Sequence, residues 1–222
     1  MTHSDFTPLS HYTEYPPDEM KRRSASFLDD IRRRRSIRDF SDKPVPAEVI
    51  NNCILAAGSA PSGANRQPWH FVVVRGNEAK RQICQAAESV ERELYNKRAS
   101  EQWLNALATF KTNPDKPFLE TAPCLITIFA EKYKLLPDGT KELNYYVNES
   151  VGIATGILIT AIHNAGLVCL PYTPSPMRFL NTILERPENE RPFLLLVAGY
   201  PADGATAPKL DKKTLEQITT FV

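Results

Sequence analysis

Apolar positions along this chain recur at two periods, and the switches between them divide it into alternating helical and extended segments. Phe27, Leu28 and Ile31 recur at helical spacing after Ser24, and the segment runs into a cluster from Arg32 to Arg35 where the helix is expected to end. Val49, Ile50, Cys53, Ile54 and Ala57 form a second stripe, with Pro46 near its start and Gly58 just past its end. Residues 59–68 (SAPSGANRQP) are dense in turn formers and lead into the β-branched and aromatic run 69–74, so the pattern is a loop feeding a buried strand.

Residues 77–111 read as one charged helix carried by Ile83, Ala87, Val90 and Leu94, and residues 112–117 break it. A second apolar strand follows at 124–130. Pro137, Asp138 and Gly139 then mark a turn before a long helix over 146–164, with Gly166 as its C-cap. A short strand near Val168 leads to Tyr172, Thr173, Pro174, Ser175 and Pro176, followed by a short helix and a strand at 193–198. Because the β runs are apolar on both faces, the expected architecture is α/β (α+β), a central mixed β-sheet flanked by helices.

Composition narrows the class. No composition shift or Gly/Ser-rich stretch divides the 222 residues, so a single domain over 1–222 is expected, with residues 1–23 as an extended polar arm. With 27 basic against 26 acidic residues, the net charge of +1 supplies no field that would gather nucleic acid or an anionic membrane, so any anion site must be local. The uncharged, largely apolar stretch 151–170 has the length of a membrane span, but His163, Asn164 and Gly166 in its last third favour a buried core helix. The N-terminus lacks the basic start and apolar middle of a secretion signal, and a cytoplasmic protein is expected. Cys53, Cys84, Cys124 and Cys169 are far apart with mostly apolar neighbours, which predicts reduced, buried thiols. Neither they nor the four histidines have metal-ligand spacing, so no metal is expected.

No GxGxxG or GxxxxGK[ST] motif is present, and four other groups of residues are candidates for chemistry. Arg34, Arg35, Ser36 and Arg38, in RRSIRDF, offer planar guanidinium donors suited to phosphate oxygens, or form a solvated basic helix end. Pro61, Ser62, Gly63, Ala64 and Asn65 form a small-residue loop that a flat ligand could approach, or an ordinary connecting turn. Thr173 sits in a Pro-rich turn that could aim its hydroxyl at a ligand, or in a plain loop. Glu91 and Tyr95 share a helix face, and with Lys116 they make an acid, a phenol and a base able to hold a zwitterion; alternatively they face solvent and do nothing specific.

Taken in order, RRSIRDF, APSGANRQPWHFVVV, YTP and the basic tail resemble the nitroreductase superfamily of FMN enzymes across nearly the whole chain. Within it, the insertion ERELYNKR, followed by KTNPDKPFLETAP, NAGLV and GYP, is similar to the iodotyrosine deiodinase branch. The resemblance implies a nitroreductase-like fold in an intertwined homodimer that exchanges its terminal arms, residues 1–23 and 205–222, with residues 88–118 forming an active-site lid. It implies that FMN is held by Arg34, Arg35, Ser36 and Arg38, by Pro61, Ser62 and Gly63, by Pro171, Tyr172 and Thr173, and by Lys212. Thr173 would face flavin N5, and the Ala64 N–H, Glu91, Tyr95 and Lys116 would bind substrate.

Two departures stand out: Pro171 and Tyr172 replace a threonine-rich run, and Lys212 replaces an arginine, keeping the charge but losing the bidentate fork. The implied activity is reductive dehalogenation of halotyrosines, with electrons from an unidentified donor or reductase. The alternatives are a broad NAD(P)H-dependent nitro or quinone reductase, which needs no zwitterion clamp, and a non-catalytic protein that binds flavin or halotyrosine.

Overall fold

A computed structural model describes residues 8–108, 110 and 112–222 of the chain. Its contacts divide it into two compact units, Met1–Arg34 and Arg35–Val222.

The first unit carries one helix, α1 (Pro17–Arg32). It begins at Pro17, so residues 17–23 are helical and not part of an extended arm, because Pro17 has the fixed φ of a first helical turn and needs no N–H partner there, while Asp18 and Glu19 complement the helix dipole. Glu19 accepts from both Arg22 and Arg23, at 2.7 and 2.8 Å. These polar pairs extend the helix through a stretch that has no apolar period. Its C-terminal end falls at the basic cluster, as the pattern predicts.

In the second unit β1 (Trp69–Val74), β2 (Cys124–Glu131), β6 (Glu190–Gly199) and β5 (Val168–Tyr172) form, in that order, a four-stranded sheet with helices on both faces. Its elements are α2 (Ala47–Gly58), β1 (Trp69–Val74), α3 (Asn77–Glu93), α4 (Glu101–Ala108), α5 (Phe118–Thr121) and β2 (Cys124–Glu131), followed by the hairpin β3 (Tyr133–Leu135) and β4 (Lys141–Leu143). The chain continues through α6 (Val147–Asn164), β5 (Val168–Tyr172), α7 (Phe179–Ile183), β6 (Glu190–Gly199) and α8 (Leu215–Ile218). Neighbouring strands of the sheet are antiparallel, and a parallel bridge from Ser36 to Cys169 on β5 makes the sheet mixed.

Strand periodicity of two sorts the side chains into two cores. Leu125 and Phe129 of β2, Leu170 and Tyr172 of β5, and Leu195 and Val197 of β6 join Ile83 and Ala87 of α3 on one face. Ile126, Ile128, Cys169, Leu196 and Ala198 pack on the other face against Ile50 and Cys53 of α2 and Leu158 and Ile162 of α6. Burial on this scale contributes about 1.5–3 kcal/mol per large apolar side chain and accounts for the unalternating apolar runs in the sequence. All four cysteines are buried, and none of them is in a disulfide. Gly166 ends α6 with φ +78°, a left-handed conformation that disfavours residues with a Cβ. No helix among the described residues is long and apolar enough to cross a membrane.

Two local readings change. Residues 77–111 are not one helix: α3 ends at Glu93, a wide turn over Leu94–Arg98 follows, and Ala99 is extended. Ser100 Oγ then accepts the Trp103 N–H at 3.2 Å and starts α4, so a hydroxyl cap interrupts a charge pattern that looks continuous. The turn at Pro137–Gly139 closes the β3–β4 hairpin, whose three-residue strands are too short and polar to be read from periodicity. Asn144 and Asn189 hold it down, donating to the carbonyls of Glu131 and Tyr133 at 2.8 Å each.

Candidate active site

The acid, phenol and base meet in the structure, and they are not on a solvated helix face. Glu91, on the last turns of α3, is buried, and so is Lys116, on the loop before α5. Their side chains lie 3.4 Å apart, Lys116 Nζ to Glu91 Oε2. Lys116 Nζ also donates to the Asn113 carbonyl and lies 5.7 Å from the centre of the Tyr95 ring. Tyr95, in the wide turn after α3, is half-buried and meets Trp103 of α4 edge-on at 6.0 Å. The break between α3 and α4 therefore turns Trp103 back onto Tyr95, which an unbroken helix could not do.

The second oxygen of Glu91 is occupied as well. Tyr172 Oη donates to Glu91 Oε1 at 3.0 Å. Tyr172 is the last residue of β5, its ring is buried, and Phe118 of α5 packs against it edge-on at 5.8 Å. Burial raises the Tyr172 phenol above its ordinary value, and the Glu91 charge raises it further, so it stays a donor. Burial also lowers the Lys116 ammonium against the opposing pull of Glu91, and the charge of Arg38 adds to the lowering. The Arg38 guanidinium carbon lies 5.9 Å from the centre of the Phe110 ring.

A supporting layer fixes the Lys116 backbone. Glu88 accepts the Lys116 N–H at 2.8 Å and the Arg92 guanidinium at 2.9 Å, and the Cys84 thiol donates to the Lys116 carbonyl at 3.3 Å. Burial works against the Glu88 carboxylate, but the Lys116 N–H, Arg92 and Cys84 outweigh it and hold Glu88 below the usual carboxylate range.

The small-residue loop is shaped by α6. The Gly63 N–H donates to Ser150 Oγ at 3.4 Å, and Ser62 Oγ accepts the Gln67 N–H at 2.9 Å. A Cβ at Gly63 would lie 2.7 Å from the Tyr146 ring and 3.0 Å from the Tyr145 carbonyl, so only glycine fits. Ala64, Asn65 and Gln67 all have positive φ. The loop is thus a tightly wound turn with Pro61 and Ala64 exposed, not a plain connection.

The remaining candidates are spread around the same sheet edge or away from it. Arg34 ends the first unit. Arg35 is half-buried and donates to the Pro208 carbonyl, while Ser36 makes the bridge to Cys169 beside β5. Pro171 is on β5, and Thr173 directly follows the strand with its side chain exposed. Lys212 is exposed in the C-terminal segment. A further tie, from Arg98 in the wide turn to the Ser175 carbonyl at 3.1 Å, connects the segment after α3 to the turn that carries Thr173.

Residue patterns did not single out Trp103, Asn113, Ser150 or Tyr146, nor the contact of Tyr172 with Glu91. One signal was present: Leu170 and Tyr172 alternate on an apolar strand, and an inward tyrosine needs a partner for its hydroxyl.

The nitroreductase family model matches residues 31–200. An iodotyrosine deiodinase of Haliscomenobacter hydrossis is 54% identical over 200 residues, covering 90% of this chain and 90% of its own. An iodotyrosine deiodinase of Nematostella vectensis is 44% identical over 213 residues, covering 95% of this chain and 81% of its own. A crystal structure of oxidized iodotyrosine deiodinase bound to FMN and 3-iodo-L-tyrosine is similar, with a TM-score of 0.77 and 30% identity over 88% of this chain and all of that one. The match spans the sheet, the helices on both its faces and the Glu91–Lys116 region, and on it the chain belongs to the nitroreductase family.

Proposed function

We propose that this chain is an FMN-dependent oxidoreductase that removes halide reductively from halotyrosines, converting iodotyrosine to tyrosine and iodide. One observation carries the reading: a buried glutamate and a buried lysine 3.4 Å apart, beside a half-buried tyrosine, form a site with opposite charges for the two ends of an amino acid. The similarity to iodotyrosine deiodinases along nine-tenths of the chain supports it.

The donor set suits FMN. Guanidinium groups at Arg35 and Arg38 match phosphate oxygens and the polar edge of a flavin, hydroxyls at Ser36, Ser62 and Thr173 supply neutral donors, and Gly63 keeps its loop free of a side chain. Arg34, Pro61, Pro171, Tyr172 and Lys212 are assigned to the same cofactor from their motifs alone. When bound and reduced, FMN would supply two electrons in single steps and a proton, so that a C–H bond replaces the carbon–halogen bond and halide departs.

The chain's own residues bind and orient. Glu91 draws the substrate ammonium and Lys116 its carboxylate, each contact strengthened because water is excluded. The Ala64 N–H would donate to the substrate phenolate, and the Thr173 hydroxyl would hydrogen-bond flavin N5. Residues 88–118, which contain Glu91, Tyr95 and Lys116 and of which 109 and 111 lie outside the described residues, act as the lid. Residues 1–23, of which 1–7 lie outside the described residues and 17–23 begin α1, and residues 205–222 are the arms of a homodimer; the electrons come from a separate reductase, and four thiols outside any disulfide support a cytoplasmic setting.

The test is anaerobic: the FMN-loaded protein is reduced with dithionite and mixed with 3-iodo-L-tyrosine. Stoichiometric iodide with rapid flavin reoxidation is expected. No iodide, or affinity for 3-iodo-L-tyrosine no better than for a nitroaromatic, overturns the reading in favour of a generalist reductase.

A further inference from the structure

We propose that Tyr172 is a positioning residue for Glu91: its hydroxyl fixes the carboxylate so that it can receive the ammonium of an amino acid substrate while Lys116 turns to the substrate carboxylate. This rests on the halotyrosine reading above and extends it to a residue outside the acid, phenol and base that form the clamp.

The two oxygens of Glu91 have different partners. Oε2 faces Lys116 at 3.4 Å, and Oε1 accepts from Tyr172 at 3.0 Å. The lysine is on an irregular loop, whereas the tyrosine is on a sheet strand whose register is set by β6, with Tyr172 opposite Leu195. One partner can be exchanged and the other cannot.

That asymmetry matters because the pair is buried. Glu91 and Lys116 neutralise each other, and a zwitterion can enter only if their contact opens and each charge takes up a new partner. A buried carboxylate released from its lysine would be free to rotate and would lack a hydrogen-bond donor at the moment of exchange. The Tyr172 hydroxyl removes both problems. Its phenol is raised by burial and by the neighbouring Glu91 charge, so it remains a donor across the working pH range. The edge-on contact with Phe118 at 5.8 Å fixes the ring that carries it.

The test is Tyr172→Phe in the FMN-loaded full-length protein, which keeps the ring and removes only the hydroxyl. Flavin absorbance first establishes FMN retention; should it be lost, Tyr172→Met, also without a hydroxyl, replaces it in the same comparison. Two ligands are titrated, 3-iodo-L-tyrosine and its analogue lacking the α-amino group. Loss of a hydrogen bond to a charged group weakens 3-iodo-L-tyrosine about tenfold or more, with less than about threefold change for the deaminated analogue. In a Glu91→Gln background, Tyr172→Phe changes neither affinity by more than about twofold, because the charge it positions is gone. The KM for 3-iodo-L-tyrosine rises by a larger factor than kcat falls.

Equal weakening of both ligands would make Tyr172 a merely structural residue, and no change in either would make its hydroxyl irrelevant; each overturns the proposal. Failure of the unmodified protein to bind 3-iodo-L-tyrosine is a different result, and it would overturn the halotyrosine reading.

Discussion

Glu91 and Lys116 form an ion pair 3.4 Å long in which both side chains are nearly sealed from solvent, 9% and 4% exposed. An exposed pair of this kind contributes little, but a buried one leaves an uncompensated charge when either partner is removed. Lys116→Met is expected to lower unfolding stability by roughly 3 kcal/mol in urea melts, and Glu91→Gln by a smaller amount. The double variant is expected to recover part of the loss. Simple additivity of the two single losses would contradict the pairing.

The same burial sets a pH dependence. Lys116 has a lower folded value than an ordinary lysine, because burial outweighs the attraction of Glu91. Between the folded value and the unfolded one, the unfolded chain holds more protons, so stability contributed at this site rises with pH across that window. The cost of burying the charged ammonium is complete below the folded value and has vanished above the unfolded one. Relative to Lys116→Met, the unmodified protein is expected to gain stability as pH rises towards the ordinary lysine value. A constant difference across that range would refute the assignment.

Thiol chemistry gives a separate check. Burial pushes Cys84 up to about 12, with Glu88 and Glu120 adding to it, and burial pushes Cys124 up to about 11. Both are thus almost wholly protonated at neutral pH, and the thiolate is the reactive form. Iodoacetamide is expected to leave both unlabelled in the folded protein and to label both after denaturation, as read by mass spectrometry. Native-state labelling at the rate of a free cysteine would count against their burial.

Gly63 tests the loop. An alanine there would press its Cβ within 2.7 Å of the Tyr146 ring and 3.0 Å of the Tyr145 carbonyl, and the carbonyl cannot yield without moving the start of α6. Gly63→Ala is expected to cost about 1–3 kcal/mol of stability and to weaken FMN binding, measured by flavin fluorescence on titration. Unchanged FMN affinity would separate this loop from the cofactor site.

Much of the fold was legible from apolar runs, helical periodicity and turn residues. Trp69–Val74 and Gly166 fall where the residues place them, and the strand at 124–130 is extended by one residue. The misreadings share a cause: local polar groups, invisible to hydrophobic periodicity, decided them. Asp18 and Glu19 start α1 early, Ser100 splits the helix expected over 77–111, and two asparagines anchor a hairpin whose strands carry almost no apolar signal. The candidate site divides in the same way. The acid, phenol and base could be named from their types and spacing, but their burial could not, since helix α3 is otherwise heavily charged.

The sequence by itself determined the residue types at the site, the basic segment before the sheet, the glycine loop after α2 and the apolar runs that build two cores. Tertiary structure alone decided that Glu91 and Lys116 are sealed against each other and that a tyrosine 81 positions from Glu91 holds its other oxygen. The reason is physical: helix and strand patterns arise from neighbours a few residues apart, whereas the desolvation and pairing of a charge depend on which distant surfaces pack over it.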